Sequence, residues 1–272
     1  MSRDRLSVCI IGAGTGGLCL AQGLKQERID VEVYERELTP SDRLQGYRLS
    51  ISAIGRRALK ECLPQDLFGK LVENCAKPSE SVTFLDHHLN RLLVFELPHR
   101  DRENVDSELP VSRIALRRIL SEGLDELFTT AKNSLLSRMR HNVLLLTSPS
   151  TITTFPVKTS VPIPPWKTRR VTLLGDALHN MTPFRGIGAN TALRDAATLR
   201  PALAAVARGD ADLFQALTSY ERDMIGYGFN AVKTSLRDMT RFHTKGLSKI
   251  AVKTLLRVVD RAPPLKAAFF ER

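Results

Sequence analysis

The sequence is poor in cysteine, has a single tryptophan and carries no long apolar run. Its four cysteines, Cys9, Cys19, Cys62 and Cys75, stand apart without CxxC spacing. That spacing excludes a zinc ribbon and gives no disulfide framework, so no metal site is expected and a reducing, cytoplasmic setting is the default. No stretch approaches the length of a membrane-spanning helix. Arg3 and Arg5 before the apolar run 8–21 have the outline of a secretory leader, but Asp4 and the glycines inside the run argue against one. Acids are the minority charge, with 29 Asp and Glu against 40 Lys and Arg and a net charge of +11. What remains, 272 residues of which 43% are hydrophobic and 25% charged, is the composition of a globular chain of one large or two small domains.

The first thirty-five residues read as a unit. Residues 6–11 (LSVCII) form a buried strand, a glycine turn opens a helix to about Lys25, and Val31–Tyr34 is a second strand ending at Glu35. A helix-rich stretch broken at Pro64 follows, then two paired strands at Val82–Leu85 and Leu92–Leu97. Ser112 caps a helix predicted to run to about Leu127. Residues 129–166 change from polar helix to a strand and a proline-stiffened connector. A strand at Val171–Leu174 then leads into Gly175-Asp176, a glycine loop and long helices.

Two constellations carry chemistry. Gly12-Ala13-Gly14-Thr15-Gly16-Gly17 fits GxGxxG between a strand and a helix, which is where a dinucleotide pyrophosphate binds. Gly12 permits the tight turn, Gly14 lets backbone approach phosphate, and Gly17 lets helix pack on strand. The helix N-terminus supplies N–H groups and a positive dipole end. Glu35 lies at the end of the second strand, where a carboxylate accepts from ribose hydroxyls and repels a 2′-phosphate. The fingerprint alone does not choose FAD over NAD. The second constellation is VTLLGDALHNMTPFRGIGANTALRDA, residues 171–196. It delivers Asp176 to a strand end, the usual ligand edge of an open α/β sheet. Pro183 turns the chain, Gly186 and Gly188 allow backbone to lie near a flat ring, and Ala189 and Asn190 open a helix that favours negative charge. His179 packs or bonds locally in preference to acid–base work. His87-His88 reads as surface.

The second run resembles the GDAxHxxxPxxGxGxN signature of the FAD-dependent monooxygenases of the aromatic-hydroxylase type, the p-hydroxybenzoate and salicylate hydroxylase-like superfamily. VSRIALRRIL at 111–120 is similar to that family's arginine helix, and GYRLSI at 46–51 to its segment along the flavin. The resemblance covers about 1–128 and 134–235. It implies a Rossmann-like α/β FAD-binding fold with a parallel sheet, a reduced middle β-segment and C-terminal helices. It also implies FAD as cofactor and NAD(P)H as reductant. Its expected cofactor contacts are Gly12, Gly14, Gly17, Glu35, Arg36, Gly46, Arg48, Arg113, Asp176, Pro183, Gly186, Gly188, Ala189 and Asn190. No residue is expected to act as a chemical acid or base, because the flavin carries the chemistry.

One family feature is missing. No Gly-Asp-Gly motif of the GADG type lies between Leu120 and Val171, and some fifty residues are too few for the family's substrate-covering sheet. The pattern is that of an internal excision near 129–134. The expected organisation is 1–128 as the N-terminal part of the FAD-binding domain, 129–170 as a shortened middle remnant, and 171–272 as its C-terminal part with a basic helical tail. The implied function is hydroxylation or epoxidation of a small aromatic or polyketide-like molecule, with secondary metabolism as the setting. The alternatives are a non-catalytic FAD-binding remnant and an NAD-dependent reductase.

The last forty residues hold ten basic residues and three acids. Lys233, Arg237, Arg241, Lys245, Lys249, Lys253, Arg257 and Arg261 recur every four positions, so on a helix the stripe winds slowly round the surface. A solvated helix face is the preferred reading; weak contact with an anionic membrane surface or acidic partner is the alternative. Nucleic acid is not expected as a partner, since no recognition motif or aromatic array accompanies the charge.

Overall fold

β1 (Ser7–Ile11) and β2 (Asp30–Glu35) pair in parallel from Ser7 beside Asp30 to Ile11 beside Tyr34. They are joined by α1 (Thr15–Gln26), the βαβ unit that the alternation of apolar strand, glycine turn and apolar helix predicts. The structure is a computed structural model, and it describes residues 5–35, 48–76, 80–86, 88–96, 107–130, 157–242 and 247–262.

α1 is buried all round, from Gly16 to Leu24. Such a helix belongs to a core and not to a surface. Each of Leu18, Leu20 and Leu24, fully buried, contributes about 1.5–3 kcal/mol by leaving water. The buried amide of Gln22 spends its donors on the carbonyls of Leu120 and Glu122, at 3.0 and 2.9 Å.

β3 (Arg48–Ile51) pairs antiparallel with β6 (Leu109–Ser112), flanking α2 (Ala53–Cys62) and α3 (Gln65–Glu73), which is capped at Pro64. β4 (Ser81–Leu85) and β5 (Arg91–Glu96) form the expected antiparallel pair. α4 (Arg113–Ser121) is shorter than the sequence predicts. Gly123, at φ +71°, ends it, and a 3-10 turn at Asp125–Leu127 feeds β7 (Phe128–Thr130), which pairs parallel with β2. Ser112 holds the capping position, but its hydroxyl makes no capping bond. The chain then passes through α5 (Asp176–His179) to the long helices α6 (Gly188–Arg208), α7 (Leu213–Phe242) and α8 (Leu247–Arg261).

The parallel sheet departs from expectation at one place. Its order is β1-β2-β7, so among the described residues the fingerprint strand lies at an edge. Ile11 is 72% exposed, and Ser7 and Cys9 are exposed as well, whereas parallel sheets ordinarily bury their strands. Val171–Leu174, predicted as a strand, joins no ladder, and Val171 is 75% exposed. The reason is geometric. α1 and α6, the helices after these two segments, pack directly on each other. Packed helix axes lie about 8–10 Å apart, and neighbouring strands about 4.7–4.9 Å. Two strands feeding adjacent helices on one face are therefore about two strand spacings apart, which leaves room for one strand between them. Among the described residues none fills that interval.

The basic tail is two helices. α8 lies along β5, where Asp260 Oδ1 accepts the Val94 N–H at 2.9 Å, Asp260 pairs with Arg91, and Arg257 pairs with Asp86 at 3.2 Å. One residue of the stripe, Arg257, thus reaches the hairpin while its side chain stays 47% exposed. Gly246, Pro263 and Pro264 lie outside the described residues, as does His87. Among the described residues no helix is long and apolar enough to cross a membrane.

Candidate functional site

The fingerprint turn is held by backbone. Gly12 sits at φ +105° and donates its N–H to the Tyr34 carbonyl at 2.7 Å, which locks the loop to the end of β2. A Cβ at Gly17 would run into the Gly12 carbonyl oxygen and Ile10, so this position is glycine for packing. Gly14 is different. Its backbone is ordinary, at φ −75° and ψ 175°, and a Cβ there would meet nothing within 4 Å. Nothing in the protein itself requires glycine at 14. The open space beside it, at the N-terminus of α1, fits a group approached closely by backbone.

Glu35 closes the same loop. Its Oε2 accepts the Ala13 N–H at 2.8 Å and lies 3.5 Å from Arg117. Sequence reasoning assigned Glu35 to a ribose and gave Arg117 no role. The structure makes the carboxylate a strut for the phosphate-side turn as well, steadied by a cation from α4. The signal was available: Arg117 is one helical turn beyond Arg113 in the arginine helix, on the same face. Arg113, half-buried, begins α4, and Arg48, exposed, begins β3. Arg36 and Gly46 lie outside the described residues.

The second turn is held by side chains. Gly175 adopts φ +62° and ψ −142°, a conformation reserved almost wholly to glycine. Its N–H donates to Asp195 Oδ2 at 2.7 Å. Asp176, exposed, follows at the first position of α5. Asp195 is fully buried and receives two further bonds, from His179 Nε2 at 2.7 Å and from the Tyr227 hydroxyl at 2.6 Å. The carboxylate is an acceptor, which assigns the proton of the His179 ring to Nε2. Burial, and then the nearby Asp195 carboxylate, push the Tyr227 hydroxyl far above its ordinary pKa, so it stays a donor. The Arg194 guanidinium stacks over the Tyr227 ring, 3.9 Å from its centroid. Each bond to an ionised acceptor contributes about 1.5–3 kcal/mol, and together they offset the desolvation of the carboxylate. His179 bonds locally, as expected.

The glycine loop comes next. Pro183 opens a 3-10 turn, and Gly186 at φ +62° ends it. Gly188 and Ala189 start α6. Asn190 does something sequence reasoning missed. Its Oδ1 accepts the Ser52 N–H at 2.8 Å, and its Nδ2 donates to the Ser50 carbonyl at 2.9 Å. The amide therefore ties β3 to the glycine loop. The signal was the small Gly55, where a Cβ would occupy the space taken by the Asn190 amide oxygen.

The two turns meet across α6. A Cβ at Gly16 would lie 2.9 Å from the Ala192 carbonyl oxygen, and one at Gly175 would lie 3.3 Å from the Ala192 Cβ. One residue of α6 thus touches both loops. Among the described residues no group of His, Cys, Asp and Glu could hold a metal ion.

Comparison with known proteins agrees with this architecture. The family described as "FAD binding domain" matches residues 100–234, and "NAD(P)-binding Rossmann-like domain" matches 10–55. The chain thus carries an FAD-binding domain and a Rossmann-like dinucleotide-binding segment, and its relatives are FAD-dependent monooxygenases. Among these relatives, a dual O-methyltransferase/FAD-dependent monooxygenase of Phaeosphaeria nodorum is 33% identical over 127 residues, which are 46% of this chain and 14% of that protein. An FAD-dependent monooxygenase of Emericella nidulans is 38% identical over 125 residues, 44% of this chain and 30% of the relative. The chain therefore spans well under half the length of either curated relative. Among solved structures, Klebsiella pneumoniae HpxO, complexed with FAD and uric acid, aligns with TM-score 0.66 at 18% identity. The alignment covers 93% of this chain and 92% of that one, a likeness of fold.

Proposed function

We propose that this chain is an FAD-dependent monooxygenase that uses NAD(P)H and oxygen to hydroxylate or epoxidise a small aromatic or polyketide-like molecule. The observation that carries the reading is the convergence of two glycine turns, at Gly12–Gly17 and Gly175–Asp176, on Ala192 of α6. Two such devices at one place suit the two ends of a single extended dinucleotide. The bound flavin would supply redox and oxygen chemistry, and the protein's part is to bind, orient and exclude water. In this reading the α1 N-terminus and Gly14 receive the pyrophosphate. Glu35 receives the adenosine ribose, and Arg113 approaches the phosphates from α4. Asp176 takes the ribitol side, and Gly186–Ala189 lie along the ring. An NAD-dependent reductase is disfavoured, because it needs only the first device.

One observation favours a second reading. Among the described residues no strand lies in the interval beside β1 or pairs with Val171–Leu174, which fits a chain whose middle segment, 129–170, is shortened. Without that cover the protein would bind FAD but not exclude water from the ring site, and it would be an FAD-binding remnant that yields no hydroxylated product. Purification followed by a visible spectrum, then NAD(P)H oxidation with product analysis over a panel of phenols, separates the readings. Bound flavin with stoichiometric hydroxylated product supports the monooxygenase. Bound flavin with NADPH consumption but no product supports the remnant. Colourless protein that refuses FAD overturns both.

A further inference from the structure

We propose that Asp195 is the positioning residue of the flavin site, acting through Gly175 to aim Asp176; the inference rests on the FAD-binding reading above. Three facts converge on it. First, among the described residues the Gly175–Asp176 turn has no ladder to hold it, since Val171–Leu174 pairs with none of their strands. Second, its glycine sits in a backbone region that the chain does not adopt without constraint. Third, the constraint is supplied from within the turn's own neighbourhood. Asp195 Oδ2 takes the Gly175 N–H directly, and the same oxygen takes His179 Nε2 from the far end of α5. One carboxylate therefore brackets α5 at both ends and leaves Asp176 exposed between them.

Asp195 is itself fixed from the other side. Tyr227 of α7 donates to Oδ1, and Gly228 beside it leaves room for the His179 ring, where a Cβ would come within 2.8 Å of Cδ2. The His179 ring is fully buried, and among the described residues its Nδ1 finds no hydrogen-bond partner. An imidazole placed at that cost serves the carboxylate it faces. Asp195 also stands two turns into α6, the helix whose first residues, Gly188 and Ala189, face the proposed ring site. The residue thus links both C-terminal cofactor elements to α7 without touching cofactor.

The test compares three variants of the full chain with wild type. FAD affinity is read by flavin fluorescence quenching, and amide exchange at 173–180 is read in flavin-free protein. Asp195→Ala removes the acceptor and should weaken FAD binding by roughly tenfold or more, with faster exchange of the Gly175 amide. Asp195→Asn keeps an oxygen for that amide and should restore affinity to within about threefold of wild type. Gln22→Leu removes an equally buried pair of hydrogen bonds remote from the turn. It should lower the melting temperature while leaving FAD affinity and the 173–180 exchange unchanged. Wild-type protein that binds no FAD defeats the functional reading. Wild type that binds FAD, with Asp195→Ala weakening it no more than Gln22→Leu does, defeats the positioning role. If Asp195→Ala fails to fold, Tyr227→Phe, which removes the bond that fixes Asp195 Oδ1, decides in its place: faster exchange of the Gly175 amide with weaker FAD binding supports the role, and wild-type exchange and affinity overturn it.

Discussion

The two halves of the site reach the same kind of turn by different means. At Gly12 the loop ends a strand with a full parallel partner, and a backbone bond to Tyr34 closes it. At Gly175 the loop ends a segment with no strand partner among the described residues, and closure falls to the side chains of Asp195, His179 and Tyr227. A turn held by a ladder tolerates any side chain that leaves the backbone alone. A turn held by side chains depends on their identities. The first half should therefore be sensitive to shape, and the second to the loss of single polar atoms.

The largest effect expected from this contrast is at Gly17. In Gly17→Ala the new Cβ meets backbone at Gly12, which has no room to give, so about 2–4 kcal/mol of stability should be lost with the flavin. Gly14→Ala sharpens the point. It meets nothing, so denaturant unfolding of flavin-free protein should change by less than about 0.5 kcal/mol. FAD affinity should nonetheless fall by roughly tenfold, since the Cβ stands where phosphate is expected. Unchanged affinity would remove the pyrophosphate from that place.

In the second half, Tyr227→Phe deletes one hydroxyl and should cost about 1.5 kcal/mol in urea unfolding. A Phe at a position as tolerant as those on the ladder side would show no such cost, and the contrast would collapse. The smallest effect lies away from the site, on the hairpin. Burial raises the Asp86 carboxyl, but the N–H groups of Asn90 and His88 more than offset it and hold its pKa at about 2, below the ordinary 3.8. A carboxyl depressed on folding stabilises above its unfolded pKa, and the contribution is lost as pH falls from 3.8 toward about 2. Acid titration of Asp86→Asn should therefore show a shallower loss of the α8–hairpin contact over that window than wild type.

Much of the fold was legible because its signals are local. The strand, glycine turn and helix of residues 6–26, the break at Pro64 and the hairpin at 81–96 all follow from short-range pattern. The overlong α4 was a local error: Gly123 carried the stop signal and was read through. The fate of Val171–Leu174 was not legible in the same way. Its residues favour a strand, and what it lacks is a neighbour far away in sequence. Within the site, the glycines and the two acids at strand ends were visible. Asn190 was visible as a motif letter, though not as the tie to Ser50 and Ser52. Arg117 and Asp195 were passed over because their partners, Glu35 and the Gly175 amide, come from elements that meet only on folding.

The most direct test of the account is FAD titration of the flavin-free full chain, followed by fluorescence quenching, for wild type, Glu35→Ala and Asp176→Ala. Two devices gripping one molecule predict a single site per chain, with both substitutions weakening that same site. Failure of the wild type to take up FAD, or an affinity untouched by Asp176→Ala, would contradict it.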